Sequence, residues 1–179
     1  MKRLMKQENI NKKKLINILI LNAIICGVLG FFMEEFLFYF KLGYFVKRGL
    51  TFGPIIPIYA YGSFIIMFLS YKYKDKPLLV FLINSIALGA LEYAVGYLLL
   101  IIKNQKLWDY SNEFLNINGL VCLKSAVFFG LGSLFVIYLL IPWLIKIVKK
   151  YDNKRVSTLA YFLGGTFLID VILYFIIKN

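Results

Sequence analysis

Five long apolar segments alternate along this chain with short segments rich in lysine and arginine. Each apolar segment is close to the ~20 residues that an α-helix needs to cross the hydrocarbon core of a bilayer. The pattern therefore predicts an all-α fold, a polytopic bundle of about five transmembrane helices. The predicted spans are 15–39, 54–71, 78–102, 119–145 and 156–177. Residues 1–14 are predicted to be a basic N-terminal segment, and residues 15–179 a single transmembrane helical domain.

The distribution of cations between the loops predicts the orientation of the chain. Cytoplasmic loops of membrane proteins carry an excess of lysine and arginine. With the N-terminus inside, the inner segments carry fourteen of these residues and the outer segments carry six. We therefore expect a multi-pass protein of the inner (cytoplasmic) membrane, with the N-terminus in and the C-terminus out. Residues 1–14 would be cytoplasmic, and two longer loops, 40–53 and 103–118, would lie outside.

Composition supports a membrane environment and argues against nucleic acid. The chain is 61% hydrophobic, whereas soluble proteins average about 45–50%. The net charge of +12 would suit a nucleic-acid-binding protein, but the cations flank the apolar segments instead of forming one patch. The predicted partner is thus the lipid bilayer, and no nucleic acid is expected.

No cofactor or metal site is predicted. The chain has no histidine, the commonest metal ligand and general base. Its two cysteines, Cys26 and Cys122, lie in apolar surroundings and are interpreted as buried thiols.

Four charged residues lie inside the predicted spans: Glu34, Glu92, Lys124 and Asp170. Such residues cost roughly 2.5–3.5 kcal/mol each at mid-membrane on insertion scales, so they are usually paired, hydrated or functional. Counting residues along each span at about 1.5 Å per residue places all four in the outer half of the membrane.

Small residues at helical spacing indicate where two of these carboxylates point. Such residues mark helix–helix contact faces, because they let backbones approach closely. Both Glu34 and Glu92 continue a face of this kind, so both are predicted to point into the bundle. The faces comprise Ala23, Gly27, Gly30 and Glu34 in the first span, and Ser85, Gly89, Glu92 and Gly96 in the third.

Alternatives remain open for each charged residue. A functional role is favoured for Glu34 and Glu92 over an internal ion pair or a protonated carboxyl that holds helices together. For Lys124, snorkelling to the outer surface and pairing with a carboxylate are equally supported. Asp170 is undecided, and Glu35 is expected to reach the interface or Lys41.

The stretch 48–62 predicts irregular backbone at the entrance of the second span. It contains Arg48, three glycines, Pro54, Pro57 and Tyr59. Proline donates no backbone hydrogen bond, and irregular backbone at membrane depth is tolerated only when buried in protein or lining a cavity. Two interpretations remain, a ligand-lining segment and a rigid helix start without a ligand.

The second outer loop carries an ordered set of polar and aromatic side chains. Trp and Tyr suit the membrane interface, and Asp or Asn can cap the next helix. The same set, close to embedded carboxylates, also suits a polar headgroup or solute. The residues are Trp108, Asp109, Tyr110 and Ser111, followed by Asn116 and Asn118.

With these motifs the chain resembles the putative ABC-transporter type IV family, also called CmpB-like, of small bacterial membrane proteins. The resemblance covers about residues 30–142, and it implies a permease. Two departures stand out: Leu120 replaces an arginine of the family pattern, and leucines at 98–100 replace a second acidic residue. The matching positions are Gly30, Glu34, Arg48, Gly49, Gly53, Pro54, Pro57, Tyr59, Gly62, Glu92, Tyr93, Trp108, Asp109, Tyr110, Ser111, Asn116, Asn118, Gly119 and Pro142.

The leading functional prediction is a permease-like transport component with an outer-facing polar pocket for a small solute or lipid headgroup. The chain has no ATPase-type phosphate loop, so a separate ATPase or other membrane subunit would supply energy. One alternative is an intramembrane enzyme acting on envelope lipids or glycans, with Glu34 or Glu92 as acid or base; it is less favoured because two carboxylates alone are a weak catalytic signature. The other alternative is a non-catalytic assembly or regulatory factor. The candidate binding residues are Glu34, Glu92, Arg48, Pro54, Pro57, Tyr59, Trp108, Asp109, Tyr110, Ser111, Asn116, Asn118 and Lys124.

Overall fold

The computed structural model describes residues 2–104, 106–151 and 153–178, and their regular elements are helices. The long helices follow the apolar segments closely. The elements are α1 (Lys2–Glu8), α2 (Lys12–Leu42), α3 (Pro57–Ser70), a 3₁₀ turn (Tyr71–Tyr73), α4 (Pro77–Lys103), α5 (Leu123–Phe135), a π-helical segment (Val136–Leu140), α6 (Ile141–Lys150) and α7 (Asn153–Ile177).

Local sequence signals set the ends of the helices. The Asn11 side chain caps α2 by accepting a hydrogen bond from the Lys14 amide, and Gly43 ends that helix in the left-handed conformation at φ 78°. Pro77 opens α4, where its missing N–H costs nothing. Cys122 caps α5 in a reciprocal pair of hydrogen bonds with Ser125. The cap is therefore a cysteine, not one of the loop's Asp or Asn residues.

Within the described residues, four helical stretches are long and apolar enough to cross a membrane. The second predicted span differs, because its helix is α3 with 14 residues. At about 1.5 Å per residue α3 is roughly 21 Å long, short of the ~30 Å hydrocarbon core. A fifth crossing and the orientation of the termini therefore stay predictions. The four stretches, with mean hydropathy between 2.0 and 2.4, are Lys12–Phe40, Pro77–Ile102, Leu123–Lys150 and Lys154–Ile177.

The described residues group into two compact units. The terminal unit contains residues 2–64 and 141–178, and the central unit contains residues 65–140. The single domain predicted for 15–179 remains a prediction, and each unit is described separately below.

In the terminal unit, α2 packs against α7 and α6. Ala23, Ile24, Ala60 and Phe167 form a buried apolar cluster contributed by α2, α3 and α7. The basic N-terminal segment contains a helix that the sequence pattern did not indicate: in α1, Leu4 is fully buried and Glu8 pairs with Lys149 of α6 at 3.2 Å.

In the central unit, α4 packs along α5. Their approach depends on a small residue, because a Cβ atom on Gly130 of α5 would overlap Ser85 and the ring of Phe81 on α4. Asn84 of α4 is fully buried and donates to Ser70 Oγ at 2.6 Å and to the Val80 carbonyl at 2.8 Å. These contacts fix the face of α4 that carries Glu92.

Candidate functional site

The small-residue face of α2 positions Glu34 in the terminal unit. A Cβ atom on Gly30 would overlap the Tyr59 ring, and one on Gly27 would overlap Ile55. This close approach also lets the Ile56 amide donate to the Gly27 carbonyl at 3.1 Å. The predicted contact face of α2 is confirmed, and Glu34 lies one helical turn beyond it.

Arg48 is the partner of Glu34. The chain turns at Gly43, and the 43–56 loop returns over the end of α2. Arg48 Nε donates to Glu34 Oε2 at 3.3 Å, and the two side chains are 19% and 22% exposed. The guanidinium also lies over the Phe38 ring, 4.0 Å from its centroid, in a cation–π contact.

Glu35 contacts the same loop residue and corrects an expectation. We expected its side chain to reach the interface or Lys41. Instead Glu35 is 9% exposed, and its Oε1 accepts a hydrogen bond from the Arg48 amide at 3.0 Å. Two neighbouring carboxylates of α2 therefore bind the side chain and the backbone of Arg48.

The two prolines shape the entrance of α3. Pro57 is the first residue of α3, and Pro54 lies in the irregular backbone before it. The predicted irregular backbone is confirmed. Thr51 is fully buried there, with its hydroxyl 2.5 Å from the Ile55 carbonyl. Tyr59 packs against Gly30, and any ligand role for these residues stays a prediction.

Asp170 contacts the backbone of the 43–56 loop. Its two carboxylate oxygens accept hydrogen bonds from the amides of Phe52 at 2.7 Å and Gly53 at 2.8 Å. Sequence reasoning missed this partner, since a backbone amide leaves no signature in a side-chain pattern. The apolar surroundings of Asp170 in α7 were the one signal that it has a partner.

In the central unit, α4 places Glu92 under the 106–122 loop. Glu92 is 5% exposed, and its Oε1 accepts a hydrogen bond from the Tyr110 hydroxyl at 3.0 Å. The next residue, Tyr93, accepts a hydrogen bond from Asn118 Nδ2 at 2.9 Å. Successive residues of α4 thus contact both ends of the same polar motif.

Backbone and aromatic contacts close this loop over α4. The Tyr110 amide donates to the Gly119 carbonyl at 2.8 Å, and Trp108 Nε1 donates to the Leu120 carbonyl at 2.9 Å. Trp108 packs beside Gly96, where a Cβ atom would lie 3.0 Å from the indole. Gly119 has φ 70°, a conformation that glycine adopts without strain.

Asp109 and Asn116 hold the loop's internal turns. Asp109 Oδ1 accepts hydrogen bonds from both the hydroxyl and the amide of Ser111. These bonds, with the nearby Lys106 ammonium, lower the pKa of the Asp109 carboxyl below its usual value. Asn116 Nδ2 donates to the Ser111 and Glu113 carbonyls, and its Oδ1 accepts from the Gly119 amide.

Lys124 lies at the start of α5 and is both exposed and paired. Its side chain is 65% exposed, and its ammonium lies 3.5 Å from Glu113 Oε1 in the loop. The partner of Lys124 is thus Glu113, a loop residue that the sequence pattern did not indicate.

The predicted site residues therefore form two sets, each within one unit. The terminal unit brings together Glu34, Arg48 and the α3 entrance, whereas the central unit brings together Glu92 and the polar loop residues. In the described ranges, no three Cys, Asp or Glu side chains lie close enough to share a metal ion. A single pocket lined by both glutamates stays a prediction.

Comparison with known proteins identifies the family. The profile of the family described as "Putative ABC-transporter type IV" matches residues 21–175, which include both sets of site residues. No curated protein and no solved structure gave a match. The resemblance drawn from the motifs is confirmed, and the apolar helices are those of a membrane protein. The chain belongs to the putative ABC-transporter type IV family.

Proposed function

We propose that this protein is a permease-like component of the cytoplasmic membrane that binds the polar group of a small solute or lipid headgroup. One observation carries the proposal. In each unit, a glutamate on a long apolar helix meets a side-chain donor from the loop that follows that helix. Ionisable residues inside apolar spans are costly, and in membrane proteins they mark substrate and ion pathways.

The Glu34–Arg48 pair offers a ligand both signs of charge. About a fifth of each side chain is exposed, so a ligand can reach the pair without unfolding the loop. An anionic group would bind the Arg48 guanidinium, which donates in the fork geometry that suits carboxylates and phosphates. A cationic group would bind Glu34. In both cases the Phe38 ring and the Glu35 carboxylate keep Arg48 in position.

The Glu92–Tyr110 pair is more enclosed and differs in chemistry. A tyrosine hydroxyl both donates and accepts, so Tyr110 can pass its hydrogen bond from Glu92 to a polar group of the ligand. Asp109, Asn116 and Gly119 fix the turns on either side of Tyr110, which supports a preorganised contact. Their proposed role is therefore to position Tyr110 and Asn118.

A separate ATPase is the proposed source of energy. Membership of an ABC-transporter-type family supports partner subunits. The chain carries no ATPase-type phosphate loop of its own. We therefore propose that transport requires assembly with at least one further subunit.

Ligand-induced thermal stabilisation of the purified protein tests the binding role. A ligand present at 100 times its Kd adds about 2.7 kcal/mol to the free energy of unfolding, or roughly 5–11 °C in Tm for a chain of this size. A panel of polar solutes and lipids should contain a compound that gives such a shift. Glu34→Gln and Glu92→Gln should each lose most of it, since glutamine removes the charge and keeps the shape.

Glu8→Gln is the matched control, because Glu8 pairs with Lys149 at the opposite end of α2. It should keep the full ligand shift. If both site variants bind like the wild-type protein, the proposed site is wrong. If the wild-type protein converts a panel lipid into a product and the two glutamine variants do not, an enzymatic role replaces transport.

A further inference from the structure

The first turns of α7 combine cations and apolar side chains on one face. Lys154, Arg155, Thr158, Leu159 and Phe162 line an open groove of about 500 Å³. Residues three and four apart share a helix face, so Arg155, Leu159 and Phe162 follow one another along the groove. The cations lie at its N-terminal end, and the apolar side chains continue toward the middle of the helix.

The apolar part of this groove is unusually open. Leu159 is 53% exposed and Phe162 is 66% exposed. In the most apolar 18 residues of the stretch Lys154–Ile177, only 11% are buried within the protein. Exposed aromatic and aliphatic side chains in a membrane span contact lipid chains. The groove therefore runs from a charged surface onto a lipid-facing surface.

The surrounding charge favours an anionic occupant. Residues 146–155 contain five cations and one acidic residue, Asp152. The Thr158 hydroxyl donates to the Lys154 carbonyl at 3.0 Å, so its proton is used in a hydrogen bond to the backbone of α7. Lys154 and Arg155 are thus the two cationic residues among those that line the groove.

We propose that this groove binds an anionic phospholipid of the cytoplasmic leaflet. Lys154 and Arg155 bind the phosphate and the headgroup, and an acyl chain lies along Leu159 and Phe162. The rise from Arg155 to Phe162 is about 10 Å, which matches the distance from a lipid phosphate to the upper part of its acyl chain. The site lies within the terminal unit and does not depend on the proposed transport function.

Titration of the purified full-length protein with short-chain phosphatidylglycerol tests the proposal. Each cation near a membrane surface contributes about fivefold to the binding of anionic lipid, so Lys154→Ala with Arg155→Ala should weaken binding about thirtyfold. Phosphatidylcholine and soluble glycerol 3-phosphate should each bind at least tenfold more weakly than phosphatidylglycerol. Glu34→Gln and Glu92→Gln should bind phosphatidylglycerol normally, which separates this site from the proposed transport site.

Lys12→Ala with Lys13→Ala is the matched control. It removes the same charge from exposed residues at the start of α2, and binding should stay within threefold of wild type. Equal loss in both double variants would indicate diffuse electrostatic attraction and overturn the site. Equal binding of glycerol 3-phosphate would assign the groove to free phosphate compounds, which also contradicts the proposal.

Discussion

Asp170 lies in an apolar helix, and both of its carboxylate oxygens bind backbone amides more than a hundred residues earlier in the chain. Hydrogen bonds to a charged group contribute more than neutral ones, about 1.5–3 kcal/mol each against ~1. Glu35 follows the same principle, since it binds the Arg48 amide. At the scale of single residues, the carboxylates of Asp170 and Glu35 are thus each stabilised by hydrogen bonds from backbone amides of the 43–56 loop.

Replacing Asp170 with Asn should destabilise the protein by roughly 1–3 kcal/mol. One carboxylate oxygen becomes an NH₂ group, which cannot accept the hydrogen bond from the Phe52 or Gly53 amide. Thermal unfolding in detergent measures the effect. Thr166→Ala on the same helix is the control, because the Thr166 hydroxyl donates to the Leu163 carbonyl in the preceding turn of α7 and not to the 43–56 loop. Equal stability of the two variants would contradict a stabilising role for the Asp170 contact.

Residue-scale prediction succeeded where the signal was local. The spacing of Gly27, Gly30 and Glu34 was enough to place a contact face on α2. The partners of Asp170 and Glu35 are backbone amides, which every residue except proline carries, so the sequence cannot distinguish them. The Cys122 cap was missed because cysteine is an uncommon capping residue.

Helix packing in both units depends on small residues at points of close approach. Gly30 faces the Tyr59 ring, and Gly130 faces Ser85 and Phe81. Lipid tails are as apolar as leucine, so helix contacts in membranes depend on tight packing more than on the hydrophobic effect. A glycine at a close contact with a neighbouring side chain therefore contributes more to the stability of the fold than a glycine on an open face.

Gly30→Ala should destabilise the protein by about 1–3 kcal/mol, because the new methyl group overlaps the Tyr59 ring and displaces it. Gly132→Ala is the control: a Cβ atom there meets nothing within 4 Å. That variant should be unchanged or up to ~1 kcal/mol more stable, since alanine favours helix over glycine. Thermal unfolding compares the two, and equal destabilisation of both would show that packing against Tyr59 is not the cause.

At the scale of elements, four of the five predicted spans match long helices within a few residues. Hydropathy predicts these helices because the bilayer imposes one length and one composition on them. It was less accurate at 54–71, where Pro54 and Pro57 delay the helix to Pro57. The fourth span begins at Leu123 instead of residue 119, since Gly119 and the following residues complete the loop.

The number of crossings determines where the two ends of the whole molecule lie. If only the four long helices cross, both termini face the same side. If α3 crosses too, they face opposite sides. The 3₁₀ turn after α3 and the three residues before the helix can add up to about 16 Å to the ~21 Å of α3, so 54–73 is long enough to cover the core.

The excess of cations in the inner segments favours the five-span arrangement, with the C-terminus outside. Alkaline phosphatase, which is active only outside the cytoplasmic membrane, should therefore be active when fused to the C-terminus. A fusion after Lys74 is the control and should be inactive, because three long helices separate that segment from the C-terminus and the two fusions must report opposite sides of the membrane. A cytoplasmic C-terminus would contradict the orientation and leave α3 as a helix that does not cross.

The order of synthesis gives the contact between Asp170 and the 43–56 loop a role in biogenesis. The Phe52 amide leaves the ribosome 118 residues before its acceptor. At about 5–20 residues per second, this delay is roughly 6 to 24 s. During that interval the 43–56 loop has been synthesised, but Asp170, which accepts its hydrogen bonds, has not. The loop nearest Glu34 therefore reaches its final form only when the last helix has been inserted, and a chain truncated before α7 would carry every candidate binding residue but lack this constraint.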